Sequence, residues 1–426
     1  MVTDVGDMVE LEIGPVAHGG HCVARIGADE DGRGGRVVFV RHTLPGERVR
    51  ARLTETGETA SFWRADAVEV LTPSADRVPS AWPAAGPGGV GGGELAHVSL
   101  AGQRAWKAAV VAEQLQRLAH LEREVQVEAV PGDEERGGLG WRTRIDLVAD
   151  GSGRAGMSGF RSHDVHALES MPLANEAIAE LGLFDRAWKA GSRIEVVAPA
   201  GGDLPVVLVD GEPYDLRRGR VDSRPNARTS VRENVHVAGR DYTYRVAASG
   251  FWQVHREAPA VLAGAVLDAL GDVDGWTVLD LYSGAGLFTA PLSDAVGPTG
   301  AVVAVEGDPQ ALRDARRNLH DRSNVELHAG DVARVMLEDT EGSIVHADAV
   351  VLDPPRVGAG RKVVEAIAGL RPERVVYVAC DPAALARDLA YFAEQGYELG
   401  ALRAFDLFPM THHVECVATL APVATA

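Results

Sequence analysis

The chain has 426 residues and a formal net charge of -19, with Lys+Arg 42 against Asp+Glu 61. That length allows two or three domains, each burying its own core. The acidity argues against a protein that gathers nucleic acid by its overall field, and leaves local arginine clusters as the only means, since a field is screened within about 10 Å.

Three cysteines, Cys22, Cys380 and Cys416, give neither a disulfide framework nor a metal-site spacing. No leader pattern and no apolar run near the ~20 residues of a membrane span stands in the sequence, so a soluble, cytoplasmic chain is expected. Residues 1–72 carry five short alternating runs, Val9–Val16, Gly20–Ile26, Arg36–Val40, Glu47–Leu53 and Phe62–Val70, separated by Gly-Gly, Asp-Gly and Pro-Gly turn signals. They predict a small β-barrel of the oligonucleotide-binding sort, although any small β-domain has this texture. Residues 73–240 open with a Pro/Gly-rich loop, Ser80 to Gly93, followed by a helix from Gln103 to Arg123 and strands at Trp141–Ala149, Arg193–Val197 and Pro205–Val209. This reads as a mixed α+β module. Arg142 and Arg144 fall on one strand face, where they contact phosphate or simply face solvent.

From Asp241 strands and helices alternate, which predicts an α/β fold with a parallel sheet covered on both sides. The strands are Thr277–Tyr282, Ala301–Glu306, Val325–His328, Ala349–Asp353 and Val375–Ala379, with helices including Pro309–Leu319 and Val363–Leu370. Two last runs, Ala404–Phe408 and Val414–Leu420, predict an antiparallel, hairpin-like edge.

The chemistry gathers at the carboxyl ends of these strands, where open α/β sheets bind ligands. Asp280-Leu-Tyr-Ser-Gly-Ala-Gly286 follows a strand and opens a helix, so Gly284 and Gly286 let backbone approach a nucleotide. Glu306 ends the next strand and suits a pair of ribose hydroxyls. This is the organisation of an S-adenosylmethionine site; a nicotinamide dehydrogenase would carry a third glycine, where this chain has Leu287-Phe288-Thr289. Asp353-Pro-Pro-Arg356 makes a rigid corner, and Arg356 stands where amino-group methyltransferases carry an aromatic residue. Cys380 ends a buried strand. A thiolate there could add to C6 of a uracil and load electron density on C5, and Glu415, at the start of an apolar strand, could remove the C5 proton. A buried inert thiol and an ion-paired carboxylate are the plainer alternatives. Cys416, on the opposite strand face from Glu415, belongs to the core.

With these motifs in place the chain resembles the RNA uracil-C5 methyltransferases over nearly its whole length. The signature is Asp-Pro-Pro-Arg, Cys-x-Pro followed by Leu-Ala-Arg-Asp, and Phe408-Pro-x-Thr-x-His-x-Glu415. The resemblance implies an N-terminal TRAM domain, an α+β RNA-binding middle (with the helix docked on the catalytic domain) and a class I, Rossmann-like methyltransferase domain. It implies S-adenosylmethionine at Gln253, Tyr282, Gly284, Gly286, Glu306, Asp331 and Asp353, Cys380 as nucleophile and Glu415 as base. Phe251, in Phe251-Trp-Gln-Val-His255, would lie against the target base, with Arg142 and Arg144 on the RNA. Many ribosomal-RNA members hold an iron–sulfur cluster on four cysteines. Here Ser80–Gly93 has none and Met171 stands at the fourth position, so no cluster and no metal are expected. His255 replaces a usual Asn, and Ser283 a frequent Cys. The expected partner is structured RNA, 23S rRNA ahead of tRNA, with no membrane and no obligate protein partner. A non-catalytic RNA-binding protein on the same fold is the other class.

Overall fold

The computed structural model describes residues 4–27, 34–57, 59–338, 344 and 346–424. The chain begins with six strands: β1 (Met8–Glu12), β2 (Val16–Ala17), β3 (His21–Ile26), β4 (Arg36–Arg41), β5 (Arg48–Glu55) and β6 (Trp63–Thr72). They form one sheet in the order β1-β5-β6-β4-β3-β2. Alternation decides which side is core: on β5, Val49, Ala51 and Leu53 are fully buried while Arg48 and Arg52 face out. The predicted Asp-Gly turn lies outside the described residues.

Helix α1 (Leu100–Gln114) starts at Ser99, whose side chain accepts the Gly102 N–H, and passes into a π-turn over Leu115–Ala119. It ends short of the predicted Arg123 because His120 takes the left-handed conformation, which closes the last turn. Its Trp106 and Val110 complete the core of the first sheet, while Val111 and Leu115 enter the core of the last one. β7 (Val127–Glu128) follows.

A seven-stranded antiparallel sheet comes next, built from β8 (Arg144–Ala149), β9 (Ala155–Ser158), β10 (Val165–Ala167), β11 (Arg193–Val197), β12 (Val206–Val209), β13 (Glu212–Asp215) and β14 (Arg220–Val221), with the short helix α2 (Glu176–Ala179) between β10 and β11. A separate hairpin, β15 (Ser230–Val237) and β16 (Arg240–Ala247), was not anticipated and straddles the division drawn at 240/241. Its Val235, Val237, Tyr242, Tyr244 and Val246 belong to the core of the last sheet. Its free edge is covered by side chains: Asp314 accepts the Ala247 N–H at 2.8 Å and Asn318 accepts that of Arg245 at 2.9 Å.

The remainder is α3 (Ala258–Leu270), β17 (Thr277–Leu281), α4 (Thr289–Ala295), β18 (Ala301–Glu306), α5 (Pro309–Asn318), β19 (Val325–Ala329), α6 (Val332–Glu338), β20 (Ala349–Leu352), α7 (Gly360–Gly369), β21 (Arg374–Ala379), α8 (Pro382–Glu394), β22 (Tyr397–Phe405) and β23 (Glu415–Pro422). The sheet order is β19-β18-β17-β20-β21-β23-β22-β7, parallel from β19 to β21. Strand β17 is apolar on both faces because α3, α4 and α5 cover one face and α1, α7 and α8 the other. Asp308-Pro309 and Asp381-Pro382 start α5 and α8, each aspartate capping its helix and each proline opening it. The last two strands pair antiparallel as expected, but β23 lies inside the sheet and β7 forms the outer edge. β22 begins seven residues earlier than its predicted start at Ala404 because a bulge between Leu399 and Ala401 breaks its alternation.

Candidate active site

Side-chain direction on the central strands follows from core membership. Val376 and Val378 of β21, Val417 of β23 and Val351 of β20 share one core; Val375, Tyr377, Ala379 and Cys416 share the other. Alternation therefore turns Cys380, Glu415 and Asp353 to the same face, at the carboxyl edge. The ladder pairs Ala379 with Cys416 and Val378 with Val417, so one step further Cys380 stands opposite Glu415. Asp280, on the same face of β17, is fully buried beside them.

The electrostatics of this cluster come from burial. Glu415 is driven well above the ordinary carboxylate range by desolvation and then by Asp353, with Arg356 opposing. Desolvation and then Asp280 push Asp353 up to about 7. Asp280 also reaches about 7, for the same first reason, against the Thr289 hydroxyl that donates to it. The Cys380 thiol is raised to about 12 by burial, then by Glu415 and Asp353. Carboxyls that repel each other in a dry site bind protons, and the thiol keeps its own.

The nucleotide loop carries local strain. Tyr282, just after β17, has φ 64, a conformation uncommon for a bulky residue. Gly284 has φ 58 with open space where a Cβ would stand, so its backbone is accessible. Gly286 serves packing instead: a Cβ there would meet Leu319 Cδ1 at 3.0 Å. Each oxygen of Glu306 accepts one backbone N–H, from Gly284 at 2.7 Å and from Asp308. A carboxylate so held keeps lone pairs for two further donors. Asp331 is exposed and accepts the Arg334 N–H at 3.0 Å, and Gln253 is buried. The buried Oδ1 of Asp280 and Oγ of Ser283 have no partner among the described residues. Unpaired polar atoms beside an open glycine backbone and a half-committed carboxylate fit a nucleoside-bearing ligand.

Before Cys380 lies a cavity of about 150 Å³, lined by His18, Arg356, His412 and His413 among others. Arg356 approaches His413 at 3.4 Å, and the His413 and His412 rings meet at a tilt with centroids 4.1 Å apart. His412 in turn faces Glu94 at 3.5 Å. His18 and His412 were not singled out from the sequence, because they come together only through the contact between the first sheet and the last. Asp280 stands in the sequence as the acidic residue opening the glycine motif, but its place beside Asp353 follows only from the pairing of β17 with β20.

Phe251, Arg142 and Arg144 line a second cavity of about 410 Å³. Phe251 is 74% exposed, a large apolar ring left in solvent. Arg144 is mostly buried and donates to the carbonyls of Ala248 and Gly250, with Glu233 3.7 Å away, so it braces the segment that carries Phe251. Arg142 is half-buried, with its guanidinium over the Trp141 ring at 5.1 Å. His255 takes the place of the usual Asn as a buried framework residue. Its Nδ1 accepts the Glu257 N–H, so the proton sits on Nε2 and donates to Asp133 at 3.0 Å. Met171 is buried in the core of the central sheet. Among the described residues no group of three or more His, Cys, Asp or Glu is placed to hold a metal ion, and no helix is long and apolar enough to cross a membrane.

Residues 224–422 match the family model described as tRNA (Uracil-5-)-methyltransferase, and residues 2–63 match the TRAM domain. A protein of Streptomyces coelicolor described as an uncharacterized RNA methyltransferase is 45% identical over 99% of this chain and 94% of its own length. A Shewanella protein named 23S rRNA (uracil(1939)-C(5))-methyltransferase is 29% identical over 93% of this chain and 94% of its own. The crystal structure of Pyrococcus abyssi tRNA (uracil-54, C5)-methyltransferase with S-adenosyl-L-homocysteine aligns with a TM-score of 0.68 at 21% identity, covering 97% of this chain and 100% of that one, a likeness of fold. The first sheet is thus a TRAM domain and the last a class I methyltransferase domain. With a relative 45% identical along 99% of its length and its catalytic sheet matched by the uracil-5 model, the chain belongs to the RNA uracil-C5 methyltransferase family.

Proposed function

We propose that this enzyme methylates C5 of a uridine in structured RNA, 23S rRNA ahead of tRNA, through a transient bond from Cys380 to C6. The observation that carries the mechanism is Cys380 opposite Glu415 on one sheet face, next to the Asp353-Pro-Pro-Arg356 corner. The preference for 23S rRNA leans on the Shewanella relative named for that substrate.

The methyl donor of the family is S-adenosylmethionine, which when bound supplies an electrophilic methyl on a sulfonium. Gln253, Tyr282, Gly284, Glu306, Asp331 and Asp353 would hold it, Glu306 at the ribose, while Gly286 shapes the loop. Cys380 rests as a thiol, because burial and the neighbouring carboxyls raise it. As Sγ adds to C6 the thiol proton leaves to solvent, and the electron pair of the C5–C6 double bond becomes an enolate with C5 nucleophilic. Arg356, at the cavity wall, is the nearby cation for that developing charge. Once C5 carries the methyl, Glu415 takes the C5 proton, the double bond re-forms and Sγ departs. The target base must leave its stack to reach this cavity, at a cost of a few kcal/mol. Phe251, exposed at the second cavity, offers it a stacking surface worth roughly 1–3 kcal/mol.

Wild-type enzyme should form a stable adduct with 5-fluorouridine RNA, because fluorine blocks the final proton removal, while Cys380→Ala should neither trap nor methylate yet still bind S-adenosylmethionine. Full activity of the alanine variant would sink the mechanism. Mapping 5-methyluridine in 23S rRNA and tRNA from cells with and without the gene decides the substrate; a site lost only from tRNA would make tRNA the answer.

A further inference from the structure

One wall of the Cys380 cavity comes from the TRAM domain. The turn between β2 and β3 carries His18, and His18 Nε2 lies 3.1 Å from Asp381 Oδ2. Asp381 is the residue after Cys380, and its other oxygen accepts the Ala384 N–H at 2.8 Å to start α8. The carboxylate thus has one oxygen on each domain. Two residues along the same turn, a Cβ on Gly20 would stand 3.2 Å from His412 Nδ1. The turn therefore bears on both sides of the opening before Cys380. At about 150 Å³ the cavity has the size that encloses a single six-membered ring. A wall shifted by a fraction of an ångström would alter how such a ring meets Sγ.

We propose that His18 is a positioning residue for methyl transfer: through Asp381 it fixes the Cys380–Asp381–Pro382 corner, and the turn that carries it forms part of the pocket for the target base. The TRAM domain then contributes to the chemical step and not to RNA affinity alone. This rests on Cys380 as nucleophile. Asp381 raises the His18 imidazole above its ordinary value, with Glu113 of α1 adding a smaller pull and burial opposing, so the contact gains ionic character when the imidazole takes a second proton.

The test compares wild type, His18→Ala, His18→Gln, Asp381→Asn and the His18→Ala/Asp381→Asn double variant, each checked for an unchanged melting temperature. Three quantities are measured: RNA affinity, the single-turnover rate of methyl transfer, and the rate of adduct formation with 5-fluorouridine RNA. His18→Ala should slow methyl transfer on the order of tenfold to a hundredfold at unchanged RNA affinity, the cost of a misplaced reacting group. His18→Gln, which can still donate to Asp381, should recover part of the rate. The double variant should be no slower than the slower single, since both substitutions break one contact. A wild-type rate in His18→Ala, or a loss confined to RNA affinity, would overturn the proposal. If wild type itself forms no adduct, the nucleophile assignment falls, and the methyl-transfer rates still report whether His18 acts on the chemical step.

Discussion

At the scale of single residues the site is a set of acids kept from ionising. Glu415 can remove a proton only as a carboxylate, and its affinity for protons is raised by burial and by Asp353. The rate of adduct resolution, and with it turnover, should therefore fall, as pH is lowered, through an apparent pKa above the ordinary glutamate value of about 4.3. Glu415→Gln should methylate and then stall, accumulating a protein–RNA adduct on unmodified RNA. A limb at the ordinary carboxylate value, or wild-type turnover of the glutamine variant, would point to another base. Asp280 makes a prediction about stability. Its folded pKa of about 7 exceeds the unfolded one, so the fold prefers the neutral acid and is penalised as pH rises from the ordinary carboxylate range to about 7. Asp280→Asn should consequently raise the melting temperature of substrate-free protein at about pH 8 and leave it nearly unchanged at about pH 4. Thermal scans at the two values check this, and equal shifts at both would contradict it.

Among the elements, the segment between β22 and β23 depends on α1. Lys107 is completely buried, pairs with Asp406 and donates to the Phe408 carbonyl at 3.0 Å. Gln103 accepts the Met410 N–H at 2.7 Å, and Leu95 donates to the Met410 carbonyl at 2.9 Å. Lys107→Met should cost about 3–5 kcal/mol, because Asp406 is left buried without a counter-charge. Restoring an apolar pair with Lys107→Met/Asp406→Leu should recover most of that in denaturant unfolding; a single variant as stable as wild type would show that the pair contributes nothing. This dependence also marks what was legible in the sequence. Parallel strands bounded by Asp-Pro helix starts, such as β18 with α5 and β21 with α8, were readable because strand pattern, cap and proline agree. Cys380, Glu415 and Asp353 were readable because each ends or begins an apolar run. The hairpin β15–β16 was missed although it alternates, since its inward Glu233 and outward polar residues dilute the pattern. The bracing role of Arg144 was invisible because its partners are backbone carbonyls of residues far along the chain. No local spacing announces such a contact.

For the whole molecule, charge and connectivity set the behaviour. Several TRAM-domain arginines are already paired within the protein: Arg41 with Asp66, Arg50 with Glu69 and Arg64 with Glu55. In a chain of net charge -19 these pairs withdraw cations from phosphate. The slope of log affinity against log salt should be shallow, each neutralised phosphate contributing about -0.9 on duplex and about -0.7 on single-stranded RNA. A steep slope in a salt titration would reveal a basic surface beyond these residues. Deleting residues 1–72 should do more than weaken RNA binding. It removes the partners of Trp106 and Val110, so the remainder should melt lower and bind hydrophobic dye; a shortened protein with unchanged melting would show the TRAM domain to be a detachable handle. Helix α1 explains why it is not. One stripe completes the TRAM core, the opposite stripe seals the catalytic sheet, and Lys107 and Gln103 tether the strand connection leading to Glu415. The parts are therefore not interchangeable cassettes. A chimera that borrows a TRAM domain from a relative would have to cross over beyond Leu115, taking the shared helix with it, and then satisfy the borrowed helix with a matching Asp406 and Met410 on the far side.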